Sequence, residues 1–437
     1  MRRHACRRFH SLSEQIVSDQ TFAELGIHFK IAQALGEHGY TTPTPVQAAA
    51  IPPALAGRDI LATAETGTGK TAAFMLPALT RVAELPVPGI AAPRILVLAP
   101  TRELASQVTQ AARKYAKPLR MNIIDVVGGM PYGEQLRMLS RPVHVVVATP
   151  GRLIDHIDRQ RIDLSAVEVL ILDEADRMLD MGFLDDVERI ADACKADRQT
   201  LLFTATLDRR MSQLAGKLLR NPERVAVESQ ATAINVEQRL HHADDMDHKR
   251  RLLMHFAGQE EVGKAIIFAA TKRDADALAE ELSAAGHAAA ALHGDMDQSK
   301  RNRTLQRLRT GQVRLLVATD VAARGIDVRD ITHVINFDLP RSAEDYVHRI
   351  GRTGRAGASG IAVSFASRSD RETLSRIERF TGATLAIHTI SGIEPQRAFS
   401  GGGGRPAGRP AGGRGGARPW QRDGGQGRPS QARAGRW

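Results

Sequence analysis

The stretch Ala64-Glu65-Thr66-Gly67-Thr68-Gly69-Lys70-Thr71 decides the fold. It follows the apolar run Ile60-Leu61-Ala62 and precedes Ala72 to Glu84, a segment with helical spacing. A strand, a glycine-rich turn and a helix start in that order form a phosphate cradle. Gly67 and Gly69 let the loop curl so that successive backbone N–H groups point inward at anionic oxygens. The helix start adds free N–H groups and a partial positive charge. Lys70 can reach the β- and γ-phosphates, and the Thr71 hydroxyl suits a Mg²⁺ ion. Relative to the general pattern G-x-x-x-x-G-K-[ST], Ala64 replaces the first glycine. Ala64, Thr66, Gly67, Thr68, Gly69, Lys70 and Thr71 are the cradle residues to follow.

On either side of this loop the chain alternates short apolar runs with helical segments. Strands are expected at 59–63, 95–99, 143–148, 169–172 and 200–203, and again at 265–269, 288–292, 313–318, 331–337 and 360–365. Such runs, apolar throughout and separated by helices, signal parallel sheets covered on both faces. Between the two series Asn221-Pro222 breaks a helix and a polar stretch with Asp244, Asp245 and Asp247 follows, so a linker is expected near 228–236. The fold class is therefore α/β, with two tandem parallel-sheet lobes at 21–228 and 237–393. A basic extension, 1–20, precedes them and an Arg/Gly-rich tail, 394–437, follows.

The 437 residues carry a net charge of +11, unevenly spread. The tail holds nine Arg against Glu394 and Asp423, or +7, and residues 1–20 contribute +2, so the body is nearly neutral. Gly, Arg, Pro, Ala and Gln dominate the tail, which cannot form a core and reads as disordered. Its aromatics, Phe399, Trp420 and Trp437, with the interspersed arginines suit salt-sensitive contact with single-stranded nucleic acid. Arg2, Arg3, Arg7 and Arg8 faintly suggest a targeting segment, but the amphipathic pattern is slight and a basic extension is the better reading. No apolar run reaches the ~18 residues of a membrane span. Cys6 and Cys194 are too far apart for a disulfide framework or zinc site, which favours a reducing, cytoplasmic setting.

Asp173-Glu174-Ala175-Asp176 follows the expected strand at 169–172. Beside a phosphate loop, one carboxylate can hold the Mg²⁺ that bridges terminal phosphates while its neighbour deprotonates the attacking water. Asp173 is assigned to the metal and Glu174 to the base. In the second lobe, His348-Arg349-Ile350-Gly351-Arg352-Thr353-Gly354-Arg355 spaces three arginines with small residues. Planar guanidinium groups so placed suit a developing phosphoryl charge.

Together these blocks resemble the DEAD-box family of ATP-dependent RNA helicases, over about Phe22 to Gly357 and in family order. The resemblance implies two RecA-like lobes, ATP and Mg²⁺ as ligands, and RNA bound through backbone and sugar with little sequence preference. It places the adenine-reading segment at Gly39 to Gln47, with Gln47 on the base edge and Phe22 on its face. It assigns RNA contacts to Pro100, Thr101, Arg102, Gly128, Gly129, Thr149, Pro150, Gly151 and Arg152. In the second lobe it assigns them to Thr271, Gly294, Thr319 and Asp320, and matches the stretch around Gln298 and Arg301. Gly325 and Asp327 would lie near the nucleotide, and Arg352 and Arg355 would be arginine fingers.

The resemblance also implies coupling. His348 would reach the acidic motif at Asp176 across the cleft, with Arg349 supporting the same interface. Thr204-Ala205-Thr206 stands where the family usually has Ser-Ala-Thr, and would link hydrolysis to strand separation. RNA spanning both lobes would then favour the closure that hydrolysis requires. A compact, monomeric core with a Gly/Arg-rich tail resembles the bacterial RhlE-like subgroup, which implies a link to ribosome assembly and RNA decay. Two other readings stay open: a DNA helicase or translocase of the same superfamily, and an ATP-gated RNA clamp or assembly scaffold.

Overall fold

The computed structural model describes residues 20–64, 67–226, 236–323, 326, 328, 330–354 and 358–397. Most of the basic extension and the tail beyond Arg397, with Phe399, Trp420 and Trp437, lie outside the described residues. So do Thr66, Gly325, Asp327 and Arg355.

Among the described residues there are two seven-stranded sheets. The first contains β1 (Ile60–Thr63), β2 (Ile95–Leu98), β3 (Ile123–Val126), β4 (Val145–Ala148), β5 (Val169–Leu172), β6 (Gln199–Thr204) and β7 (Glu223–Ala226). The second contains β8 (Val236–His242), β9 (Lys264–Phe268), β10 (Ala289–Leu292), β11 (Leu315–Ala318), β12 (Ile331–Asn336), β13 (Gly360–Ala366) and β14 (Ala386–Ile387). Their strand orders are β3-β4-β2-β5-β6-β1-β7 and β10-β11-β9-β12-β13-β8-β14. Counted from its own first strand, each lobe therefore has the same order, and all the pairings are parallel. Two copies of one topology follow each other along the chain.

Parallel strands need helical crossovers, and these cover both faces of each sheet. Side-chain alternation divides the core accordingly. Ile95 and Val97 of β2 pack in the cluster on one face, with Phe74 and Phe203, while Leu96 and Leu98 pack in the cluster on the other, with Leu153 and Met211. In β9, Ala265 and Ile267 face one cluster and Ile266 and Phe268 another. This is the period-two pattern of a strand buried on both sides.

Four strands lie outside the sequence expectations: β3, β7, β8 and β14. β3, β7 and β14 are edge strands and β8 lies beside one, where fewer apolar neighbours are needed. Asp125 interrupts β3 and faces Arg113 at 3.5 Å. In β7, Glu223 pairs with Arg58 at 2.5 Å. β8 carries Glu237, Gln238, Arg239, His241 and His242 and begins at Val236, which corrects the linker expected to run through 236. No helix among the described residues is long and apolar enough to cross a membrane.

Candidate nucleotide and nucleic-acid sites

The glycine-rich loop leaves β1 and enters the helix Lys70–Val82, two residues earlier than the spacing suggested. Gly67 and Gly69 hold φ of +96° and +93°, the left-handed region that favours glycine. At Gly69 a side chain would also strike the Gln47 amide, whose Cδ lies 3.3 Å from the position a Cβ would take. The Lys70 ammonium is buried and donates to the Ala64 carbonyl at 3.0 Å.

Gln47 belongs to the helix Pro45–Leu55 and is itself buried. Its Oε1 accepts from the Thr44 amide at 2.9 Å and its Nε2 donates to the Gly69 carbonyl at 3.1 Å. The Thr44 hydroxyl donates to the Thr68 carbonyl at 2.8 Å. Thr44 and Gln47 thus hold the phosphate loop in place, a function the sequence did not disclose. An amide has two hydrogens and two lone pairs, so one of each still suits a base edge.

A cavity of about 440 Å³ opens over this loop. From the first lobe, Phe22, Gln47, Gly67, Gly69, Lys70, Thr71, Asp173 and Glu174 line it. Ile326 and Arg352 line it from the second lobe, nearly three hundred residues downstream. Ala64 lies beneath the cavity as the acceptor for Lys70, and Thr68 does not line it. Tyr40, from the segment expected to read the adenine, also lines the cavity, as do four residues that sequence reasoning did not place there: Leu104, Gln107, Ala111 and Tyr115. The last four are spaced i, i+3, i+7, i+11 along the helix Arg102–Ala116, one stripe of its surface.

Asp173 and Glu174 emerge at the carboxyl end of β5. Burial pushes the Asp173 carboxyl up to about 7; Lys70 opposes this, while Glu174 and Asp176 add to it. Its Oδ1 is buried with no hydrogen-bond partner. In the folded protein without ligand this group binds its proton more tightly than in the unfolded chain. Stability therefore falls as pH rises from the unfolded value near 4 through about 7. Asp173→Asn should raise the melting temperature of the ligand-free protein at pH 8, by about 2–8 °C per kcal/mol of relieved charge burial. Thermal scans at pH 5 and pH 8 check this, since the gain should shrink at pH 5.

Glu174 is held in the left-handed region, φ 51° and ψ 53°, as the first cap of the helix Ala175–Asp180. A residue with a side chain pays about 1–3 kcal/mol for such a conformation, and the cost concentrates at functional positions. Its Oε2 faces the Arg177 Nε at 3.7 Å, and the Arg177 Nη1 faces Asp345 of the second lobe at 3.6 Å. Arg177 is buried and Asp345 is partly exposed, so this chain of charges crosses the seam between lobes from the interior toward the surface.

Asp176 accepts from the backbone amides of Ala205 and Thr206, both at 3.0 Å, and from the Thr206 hydroxyl at 3.2 Å. Thr204 is fully buried and its hydroxyl donates to the Thr206 carbonyl at 2.7 Å. That bond needs only the hydroxyl. His348 lies where the charges of Arg177, Asp176, Glu174 and Arg352 all reach it; burial first, then Arg177, bring it down to about 4, so it is neutral at pH 7.

Arg349 lies at the seam, in a small cavity lined also by Arg177, Asp345, His348 and Arg352. Its Nε and Nη2 donate to the two Asp320 oxygens at 2.6 and 2.7 Å, and its Nη1 donates to Asn336 and the Asp338 carbonyl. The guanidinium also covers the Phe268 ring at 4.6 Å. These bonds all fall within the second lobe, so Arg349 braces that lobe and does not bond across the cleft. They also occupy the carboxylate of Asp320, whose expected contact was RNA. Arg352 donates to the His348 and Ile326 carbonyls, each at 3.3 Å, and its side chain lines the nucleotide cavity.

A second cavity of about 300 Å³ also spans the lobes. Pro100, Thr101, Arg102, Gly128, Thr149, Gly151, Arg152 and Gly294 line it, with Glu103, Gln298 and Arg301. Gly129, Pro150, Thr271, Thr319 and Asp320 lie outside its lining. Thr271 instead caps the helix Lys272–Ala284, where its hydroxyl accepts from the Asp274 amide at 3.1 Å. Glu103 is buried and its Oε1 accepts from Arg301 Nε at 2.9 Å and Gln298 Nε2 at 3.2 Å, across the lobes. Burial lowers the pKa of Arg102; Glu103 counters this, and Arg301 and Arg152 push the same way as burial. Three guanidinium groups crowded into one groove draw an anionic chain.

The Arg102 guanidinium packs against the Gly128-Gly129 turn. Gly129 has φ +77°, and an added Cβ would collide with that guanidinium, 2.7 Å from its Cζ. Gly129→Ala should therefore weaken RNA binding about tenfold, by the loss of one oriented charge-assisted bond. Its ATP affinity should be unchanged, which equilibrium titrations with RNA and with a fluorescent nucleotide check.

Two like lobes, a phosphate loop on the first, an arginine from the second in the same cavity and a basic groove across both define a nucleotide-driven helicase core. Residues 44–214 match the DEAD/DEAH box helicase family and residues 248–357 match the helicase conserved C-terminal domain. The chain belongs to the DEAD/DEAH box helicases. It is 46% identical over 378 residues to the ATP-dependent RNA helicase SrmB of Escherichia coli, covering 86% of this chain and 85% of that one. It is 45% identical to the ATP-dependent RNA helicase DeaD of Mycobacterium tuberculosis, covering 87% of this chain and 67% of that one. Among solved structures, S. cerevisiae Dbp5 bound to RNA and ADP BeF3 is similar with a TM-score of 0.76 and 32% identity. That similarity covers 85% of this chain and 96% of the Dbp5 chain.

Proposed function

We propose that the chain is an ATP-dependent RNA helicase: it hydrolyses ATP to ADP and phosphate when RNA closes its two lobes, and locally unwinds short duplexes. The observation that carries this reading is that the nucleotide cavity and the basic groove are each lined by both lobes. A ligand in either one favours the closed arrangement, so ATP and RNA raise each other's affinity by the same factor.

In this reading Gln47 and Phe22 take the adenine, and the loop amides with Lys70 take the phosphates. Mg²⁺ fits the residues present, because the unpartnered Asp173 Oδ1 needs a positive partner and Thr71 offers a hydroxyl beside the phosphate loop. A magnesium ion held by Asp173 and Thr71 would neutralise charge on the terminal phosphates. Glu174 takes a proton from the attacking water, and Arg352 stabilises the phosphoryl charge as it spreads. Asp176, Thr206 and His348 carry the state of the nucleotide toward the seam. RNA lies in the groove through backbone and sugar, against the Thr101 and Thr149 helix starts and the arginines. A cytoplasmic role in ribosome assembly or RNA decay, as in the RhlE-like subgroup, rests on the tail's composition alone.

The test is turnover of ATP with a panel of single-stranded RNA and DNA, followed by strand displacement on a short RNA duplex. RNA should stimulate turnover strongly, and DNA should not. Equal stimulation by DNA would favour a DNA translocase. ATP-dependent RNA binding without displacement would favour the clamp. The Thr204 hydroxyl makes a bond that serine would also make, so this substitution gives the clamp no support.

A further inference from the structure

The turn Val127-Gly128-Gly129 and the start of the helix Pro150–Asp158 come from different crossovers, yet both face the basic groove. Two fully buried polar side chains join them. Gln135, in the helix Tyr132–Leu139, donates from Nε2 to the Val127 carbonyl at 2.8 Å. Its Oε1 meets Nε2 of His156 at 3.0 Å, and His156 belongs to the helix that begins Pro150-Gly151-Arg152. Because the amide nitrogen already donates to Val127, its oxygen must accept, and the proton of His156 is fixed on Nε2.

His156 is held on its flat side as well. The Tyr132 ring stacks on it at 4.5 Å with 12° between planes. Arg159 and Arg152 lie 4.9 and 5.9 Å from the Tyr132 ring centre. Arg152 also donates to the Met130 carbonyl at 3.1 Å, one residue past Gly129. Burial, followed by Arg152, depresses the pKa of His156, and its Nδ1 is buried without a hydrogen-bond partner.

We infer that Gln135 and His156 are a positioning pair for the groove: they fix the Gly128-Gly129 turn against the helix that presents Thr149 to Arg152. Neither residue lines the groove, and neither lines the nucleotide cavity. They act through the turn on which Arg102 rests and through the helix that carries Arg152. The inference depends on the groove being the RNA site. It adds a requirement that the match of motifs does not contain, a hydrogen-bond donor at position 156.

The experiment titrates a single-stranded RNA oligonucleotide into the full chain and follows ATP turnover. His156→Leu should raise the RNA concentration for half-stimulation about tenfold, the factor for losing one buried bond and its alignment. The maximal rate at saturating RNA and the KM for ATP should stay within about twofold of the parent. His156→Gln keeps a donor toward Gln135 and should recover most of the loss. In the double variant with Gln135→Leu, the two losses should not add, because both break the same connection.

An unchanged half-stimulation in His156→Leu would overturn the inference. So would His156→Gln as weak as His156→Leu, which would mean that ring packing alone matters. A fall in maximal rate or a rise in the KM for ATP would point to general damage and also overturn it. Arg152→Ala is measured alongside. If that variant keeps the parent's response to RNA, the groove reading itself fails, and the inference falls with it. If Arg152→Ala loses the response while His156→Leu does not, only the inference fails.

Discussion

Glu174→Gln is expected to lower ATP turnover by about 10²–10⁴-fold while leaving ATP-dependent RNA binding intact. The substitution keeps the size of the side chain, and removes the ability to take a proton together with the charge that faces Arg177. Glu174 lines the nucleotide cavity beside Asp173, at the end of a strand buried on both faces, so its carboxylate is held in place before a nucleotide arrives. The arrested protein should therefore close on ATP and RNA and stay closed. Single-turnover hydrolysis and an RNA-binding titration with ATP together measure the two halves of the expectation. Loss of RNA binding along with turnover would remove Glu174 from the role of base and make it a support for the closed state.

Arg352→Ala should cost about 10³–10⁵-fold in turnover, the range known for an arginine supplied to a phosphoryl transfer from outside the nucleotide-binding lobe. Arg352 is buried in the second lobe and tied to the His348 and Ile326 carbonyls. Its contribution reaches the phosphates only when the lobes meet. Nucleotide affinity measured without RNA should change little, because the first lobe alone provides the cradle. A large drop in that affinity would mean the arginine binds the ground state as strongly as the transition state.

The fold was legible wherever the chemistry was local. Ile95 to Leu98 and Val145 to Ala148 are apolar on both faces, and no other element accommodates such short runs so well. The edge strands were hidden for the complementary reason. Val236 to His242 is rich in polar side chains, with only the two-residue β14 beyond it in the sheet, and in sequence that composition does not read as a strand. Much of the site was legible too, since a phosphate loop and adjacent carboxylates constrain each other over short distances. The cross-lobe pairs were not. Glu103 with Arg301, and Arg177 with Asp345, are ordinary surface-type residues until two strand orders bring them face to face. The partners of Arg349 were hidden as well: Asp320, Asn336 and Asp338 of its own lobe reach it only through the fold.

The helix Arg102–Ala116 contains no glycine and no proline, the residues at which helices bend. It is about 22 Å long at 1.5 Å per residue. One stripe of it, from Leu104 to Tyr115, borders the nucleotide cavity and its Arg102 end borders the groove, so one stiff rod touches both sites. Changes to its middle, at buried Val108 and Ala112, would alter how it is seated without touching either ligand. The strength of communication between ATP and RNA is thus adjustable from positions that neither ligand contacts. A relative could set its own ratio of fuel consumed to strands parted by repacking this one rod.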